Sequence, residues 1–244
     1  MPETERSIIS QRHLARARRE KRNRWLIIGG VSLVAILIIV VLLTSPGSSG
    51  TATTTETPTT QGTLVTQPTP TTIVGKQYSS PPPMTIDVTK KYFATVKLAK
   101  GGEFVIQLYP DKAPITVNSF VFLARDGYFD GVTFHRVMPG FMAQGGDPTG
   151  TGSGGPGYTF ANEANDLTFD KAGVVAMANT GQPDSNGSQF FITFAPQAYL
   201  NGGYTIFGQV TSGMDVVSAI KLRDPDKSLT YAGDAMQSVT ITEK

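Results

Sequence analysis

Residues 25–44 read WLIIGGVSLVAILIIVVLLT, a run of twenty residues without a charge. Wound as a helix, such a run rises about 30 Å, which matches the hydrocarbon thickness of a bilayer. A helix lying on a soluble core keeps a polar stripe, and this one has none. Its flanks are unequal. Residues 1–24 hold eight Lys or Arg against three acidic residues, whereas no Lys or Arg follows the run until Lys76. Basic residues stay on the cytoplasmic side, so the sequence predicts one membrane-spanning helix with the N-terminus in the cytoplasm and everything after Thr44 outside. Trp25 stands at the cytoplasmic interface, where aromatic rings are enriched. The competing reading is a cleaved signal peptide, whose apolar region spans about 7–15 residues before a small-residue cleavage site. The run is longer than that, and Leu43-Thr44-Ser45-Pro46 makes a poor site. An uncleaved anchor in the cell membrane, touching lipid through residues 25–44, is the expectation.

Charge is segregated along the chain. The net charge of the whole is +2, but residues 1–24 carry +5, while residues 85–244 hold twelve basic and fifteen acidic residues. The basic character belongs to the tail, so no nucleic-acid partner is expected. The tail needs no lipid or nucleic-acid ligand to act as a topology determinant. There is no Cys, which excludes a disulfide scaffold, a thiolate zinc or iron–sulfur site and a thiol nucleophile. With only His13 and His135 in the chain, a multi-histidine metal centre is not expected, and the metal set is empty.

Residues 45–85 are rich in Thr, Ser, Pro and Gly, as in TATTTETPTT and TQPTPTT. Segments with so few large apolar side chains cannot offset the entropy of ordering. They read as a disordered stalk, with Pro82-Pro83 favouring an extended form. Dense Thr leaves O-linked sugar open.

Residues 86–244 are long enough for one core. Tyr92, Ala94, Val96 and Leu98 alternate with more polar neighbours, and after Gly101-Gly102 Phe104, Ile106 and Leu108 alternate with Glu103, Val105 and Gln107. Two period-2 runs about a Gly-Gly turn predict a β-hairpin. Pro114–Arg125 predicts a helix: Pro114 suits its first turn, Val117, Phe120, Val121 and Ala124 line one face, and Gly127 follows its end. Further strands are expected at Val132–Val137, Gly173–Ala178, Gln189–Thr193, Thr205–Val210 and Gln237–Thr242, with a second helix at Asp215–Lys221. Met138-Pro139-Gly140-Phe141 fits a type II turn. Many short antiparallel strands with two helices point to a mainly β barrel with helical caps.

Some motifs carry nothing. Gly150-Thr151-Gly152-Ser153-Gly154-Gly155 matches G-x-G-x-x-G, but Pro156-Gly157 follows where a dinucleotide site needs a helix. Seven glycines within 145–157 instead signal a loop of unusual backbone angles. The sequon Asn186-Gly187-Ser188 reads as a turn. His135 has no G-x-S-x-G partner and reads as structural.

Two segments do carry function: Phe134-His135-Arg136-Val137-Met138-Pro139-Gly140-Phe141-Met142-Ala143-Gln144-Gly145-Gly146-Asp147, then Met177-Ala178-Asn179 with Asn186-Gly187-Ser188-Gln189-Phe190-Phe191-Ile192. In order and spacing they resemble the cyclophilin family of peptidyl-prolyl cis-trans isomerases, and the likeness runs from about Tyr92 to Ile241. The resemblance implies an eight-stranded antiparallel β-barrel capped by two α-helices, a groove for X–Pro peptides on its outer face, and no cofactor. It assigns Arg136 as the donor to the prolyl nitrogen. Phe141, Met142, Phe191 and Leu200 become the pocket for the proline ring. Gln144 orients the arginine or contacts the substrate backbone, Ala178 and Asn179 clamp the peptide, and Gly152 and Gln189 form the groove wall. Phe190 and Phe191 alternate on one strand, so one belongs to the core and the other to the pocket. A two-residue hairpin at Pro139-Gly140 would put Gln144 on the face opposite Arg136, so a bulge or twist is expected there.

Two residues depart from the family pattern. Tyr199 stands before Leu200 where many members carry Trp, which removes a ring N–H used by cyclosporin, so weak cyclosporin binding is expected. Tyr204 stands where many members carry His, which predicts an altered substrate preference rather than lost activity. The reading is thus a membrane-anchored isomerase acting on unfolded secreted or envelope proteins through their proline-containing segments. The alternative is a non-catalytic proline-peptide binding module or holdase on the same fold.

Overall fold

The computed structural model describes residues 76–227 and 230–244. The basic tail, the anchor expected at 25–44 and residues 45–75 of the stalk lie outside the described residues. Among the described residues no helix is long and apolar enough to cross a membrane.

Eight strands form one antiparallel sheet: β1 (Tyr92–Leu98), β2 (Glu103–Leu108), β3 (Arg136–Met138), β4 (Met142–Gly145), β5 (Val174–Met177), β6 (Phe190–Thr193), β7 (Ile206–Ser212) and β8 (Met236–Glu243). Their order across the sheet is β3-β4-β6-β5-β7-β2-β1-β8. The sheet curls until its edges meet: Gly131 and Phe134, just before β3, donate to the carbonyls of Met236 and Asp234, and the Met236 N–H donates back to Val132. The other flank of β3 is held by a reciprocal pair of backbone bonds between Val137 and Arg223.

The hairpin follows from alternation. Tyr92, Ala94, Val96 and Leu98 are all buried, as are Phe104, Ile106 and Leu108 across from them. Gly101 and Gly102 turn the chain at φ of 94° and 87°, which side chains with a Cβ resist. Helix α1 (Pro114–Arg125) covers one side of the barrel with Val117, Phe120, Val121 and Ala124 facing in. No local side chain caps its start. Glu163 does so from a distant loop, accepting the N–H groups of Ile115 (2.9 Å) and Thr116 (2.7 Å). A carboxylate there answers both the orphan donors and the positive end of the helix dipole. The helix ends in a Schellman motif: Tyr128 N–H reaches Leu123 C=O, Gly127 N–H reaches Ala124 C=O, and Gly127 takes a φ of 68°.

The core inside the curl is aromatic. Phe190 lies edge-on to Phe120 (5.6 Å), Phe129 (5.8 Å) and Phe134 (6.2 Å), geometries that rings prefer over face-to-face stacking.

Three expectations need correction. The strand expected over 132–137 is regular only from Arg136, because Thr133 bridges both Asp147 and Ala235 and leaves the ladder. The second helix, α2, spans Met214–Ser218 rather than Asp215–Lys221; Gly213 starts it at a φ of 78°, and Ala219 caps it. Residues 76–85, which composition alone assigns to the stalk, are packed on the barrel. Tyr78 inserts its ring beside Phe122 (5.1 Å), Asn118 donates to the Pro83 carbonyl, and the Thr85 N–H donates to Asn118. One aromatic anchor and two part-buried hydrogen bonds to Asn118 hold a segment whose sequence neighbours look featureless.

Candidate active site

The site grows from the β3–β4 turn. Pro139 and Gly140 occupy its centre, Gly140 with a φ of 67°, and the Phe141 N–H returns to the Met138 carbonyl at 3.2 Å. The strands then pair Met138 with Met142, Val137 with Ala143 and Arg136 with Gln144. Phe141 is therefore a third loop residue. That single extra residue moves Gln144 onto the face of Arg136, which settles the face conflict a two-residue hairpin would have posed. The turn is held from behind: Gln197 Nε2 donates to the Gly140 carbonyl at 3.0 Å, and the Phe194 N–H donates to the Phe141 carbonyl at 2.9 Å.

Arg136 is half-buried, with its guanidinium carbon 5.7 Å from the centre of the Phe141 ring. Among the described residues it makes no ion pair. A cation over an aromatic face is held in place without its donors being consumed. A strand salt bridge is thus not the role of Arg136 here.

The alternation on β6 resolves as expected. Phe190 faces the core, while Phe191 faces outward into a second apolar cluster with Met142, Leu200, Phe169 and Ile206. Phe141 and Tyr204 pack against that cluster, and Tyr204 meets the Phe191 ring edge-on at 5.3 Å. Tyr199 is 72% exposed and lies 6.2 Å from the Phe141 ring, on the rim. Phe169, stacked on Phe191 at 5.8 Å, supports the pocket floor. Nothing in its sequence neighbourhood marks it.

Beside this cluster the surface opens into a cavity of about 690 Å³. Gln144 joins the two, since it lies across from Arg136 and also lines the cavity. A polar chain runs from it: Gln144 Nε2 donates to Gln189 Oε1 (2.9 Å), and Gln189 Nε2 donates to the carbonyls of Gly152 and Gly154 (2.9 Å each). Gln144 makes no hydrogen bond to Arg136, although the two lie directly across from each other on β3 and β4. Ala178 and Asn179 form the facing wall. The Asn179 side chain is spent on Gly203 and Gly181, while its main-chain N–H and C=O have no partner among the described residues. Asn186 is buried in a bridge to Phe160, so the sequon is neither a turn nor reachable in the folded domain.

The glycine-rich loop is shaped by Asp147. Its carboxylate is fully buried and accepts the N–H groups of Thr149 (2.7 Å) and Gly152 (2.6 Å). Burial alone would raise its pKa, but those donors outweigh burial and hold it below the usual carboxylate range. A Cβ at Gly154 would stand 2.0 Å from that carboxylate, so the loop needs glycine there.

His135 is also buried, and neither ring nitrogen has a partner among the described residues. Burial lowers its pKa below the ordinary 6.5; Asp147 opposes this, and Arg223 and Arg136 reinforce it. The folded state therefore holds the ring neutral, whereas the unfolded chain protonates it near 6.5. Between those two pKa values the unfolded state binds the extra proton, so stability present above 6.5 is lost as pH falls through the folded value. Melting followed from pH 7.5 to 5 is expected to show this loss, at up to about 1.4 kcal/mol per pH unit, with a shallower slope in His135→Asn. Equal slopes would mean that the folded ring takes up protons freely.

Among the described residues no cluster of three His, Cys, Asp or Glu is placed to hold a metal ion.

Residues 93–243 match the family model described as cyclophilin type peptidyl-prolyl cis-trans isomerase/CLD. The chain is 48% identical over 138 residues to peptidyl-prolyl cis-trans isomerase B of Bacillus subtilis, covering 56% of this chain and 95% of that protein. It is 51% identical over 123 residues to peptidyl-prolyl cis-trans isomerase-like 1 of Mus musculus, covering 49% and 74% respectively. Among solved structures it is similar to a cyclophilin type peptidyl-prolyl cis-trans isomerase of Cryptosporidium parvum determined in the presence of the dipeptide Ala-Pro, with a TM-score of 0.56, 31% identity, and coverage of 62% of this chain and 98% of that one.

Proposed function

Because the chain belongs to the cyclophilin-type peptidyl-prolyl cis-trans isomerase family, we propose that it is such an isomerase carried on a membrane anchor, with Arg136 as its electrostatic catalyst. The enzyme catalyses rotation about X–Pro bonds. Amide resonance opposes that rotation by about 18–20 kcal/mol. No covalent bond breaks, so acceleration comes from binding the twisted amide more tightly than either planar form. When the bond twists, the prolyl nitrogen loses conjugation and regains a lone pair. Arg136, whose donors have no partner among the described residues, offers a charged N–H to that lone pair and to nothing comparable in the ground state.

Phe141, Met142, Phe191 and Leu200 receive the proline ring and keep water from it. Gln144 and the main chain of Asn179 hold the flanking backbone, with Ala178, Gly152 and Gln189 walling the groove. Tyr199 and Tyr204 set its rim. Tyr199 has no ring N–H to offer, which supports weak binding of cyclosporin. The observation that carries this reading is the juxtaposition of a half-buried guanidinium, unpaired among the described residues, with an apolar cluster separate from the core.

The twenty uncharged residues at 25–44 and the basic tail before them support an anchored enzyme whose barrel faces outward and whose clients are unfolded secreted or envelope proteins. Since the chain has no Cys, single substitutions give clean probes. In intact cells an impermeant maleimide is expected to label Ser48→Cys and to spare Ser7→Cys. The reverse pattern would invert the orientation.

A further inference from the structure

The cavity beside the arginine has one wall that does not come from the family-matched region. Gln77 lines it, sixteen residues before Phe93, where the family match begins. This is not a stray surface side chain. Gln77 Nε2 donates to the Gly155 carbonyl at 2.8 Å, so it grips the glycine-rich loop opposite Ala178 and Asn179. It is pinned on both sides. The Tyr78 N–H donates to the Pro156 carbonyl at 2.8 Å, and the Tyr78 ring lies beside Phe122 and Tyr158. Lys76 Nζ pairs with Asp126 at 3.0 Å, and the Tyr78 hydroxyl donates to the same carboxylate at 2.6 Å. The approach is close: a Cβ at Gly157 would stand 2.6 Å from the Tyr78 carbonyl oxygen. Gln77 Oε1 accepts no hydrogen bond among the described residues, and it is exposed at the cavity edge.

Among the described residues no Lys, Arg, Asp or Glu lines this cavity. Through Gln144 it continues the face that carries Arg136, so a peptide seated with its proline on the outer cluster extends its flanking residues into it. From this placement we infer that Gln77 is a specificity-determining residue of the isomerase: the segment entering the barrel completes the substrate groove and selects the side chain next to the X–Pro pair, favouring an uncharged one. The inference rests on the isomerase reading above.

Charge placed at residue 77 tests it. The full-length wild type, Gln77→Glu and Gln77→Lys are compared on proline peptides that carry Ala, Lys or Glu at the first or second residue before the X–Pro pair, at physiological ionic strength. Gln237→Glu, an exposed change on β8 that does not line the cavity, controls for net charge. At one of the two positions, Gln77→Glu is expected to lower KM for the Lys peptide relative to the Glu peptide about threefold, with Gln77→Lys doing the opposite. The kcat on the Ala peptide stays within about twofold of wild type, since Gln77 does not touch the reacting bond, and Gln237→Glu leaves the ratio unmoved. Lys-to-Glu ratios that are the same in all four proteins overturn the inference while leaving the isomerase reading intact. A folded wild type that isomerises none of the peptides overturns both.

Discussion

Arg136→Ala is expected to lower kcat/KM for an X–Pro tetrapeptide by about 100-fold to 1,000-fold, the usual cost of deleting a preorganised donor aimed at transition-state charge. The loss should fall on kcat, because the donor's partner, the prolyl lone pair, exists only in the twisted state. Arg136→Lys keeps the charge but replaces a rigid fork with a mobile point charge, so it should recover only a small part of the rate. Neither variant should melt more than a few degrees below wild type, since Arg136 is half-buried and makes no ion pair among the described residues. Protease-coupled or NMR exchange kinetics, run beside thermal melts, decide the matter. A folded Arg136→Ala that retains a tenth or more of wild-type kcat would remove the arginine from the chemistry and leave shape alone to explain catalysis.

Phe190→Ala and Phe191→Ala are expected to fail in different ways although the residues are adjacent. Phe190 is fully buried against Phe120, Phe129 and Phe134. Its truncation leaves a core cavity costing about 3–5 kcal/mol, which lowers Tm by about 10 °C in a domain of this size. Molecules that remain folded should keep their activity. Phe191 faces the outer cluster, on which Phe141 and Tyr204 also pack. Its loss should raise KM for proline peptides at least tenfold at a temperature where the variant is still folded, with a smaller drop in Tm. If both variants lost activity only in proportion to the unfolded fraction, Phe191 would be ordinary core and the outer cluster no pocket.

The parts of this fold that were legible in the sequence are those governed by short-range periodicity. The Tyr92–Leu108 hairpin and helix Pro114–Arg125 appear where alternation and a 3.6-residue face put them, with glycine closing each. The alternation of Phe190 and Phe191 foretold two faces and left open which was which; the pairing of β6 between β4 and β5 decides it. What sequence did not reveal depends on contacts between distant segments. Thr133 leaves the ladder because of Asp147 and Ala235. The start of α1 has no local cap because Glu163, 48 residues away, supplies it. Phe169 has no pattern around it and gains meaning only when stacked on Phe191. Gln77 is hidden by its setting, because Thr- and Pro-rich neighbours mask the single tyrosine that docks the segment.

The meeting of the sheet's two edges has a bearing on how such a protein survives its own work. An enzyme that handles unfolded chains is surrounded by extended backbone in search of partners, and an open strand edge is a template for it. Here the N–H and C=O groups flanking β3 and the start of β8 are already bonded to each other and to Arg223. An extended chain therefore finds that stretch of the edge already paired. That stretch is thereby shielded from edge-to-edge pairing with a neighbouring extended chain.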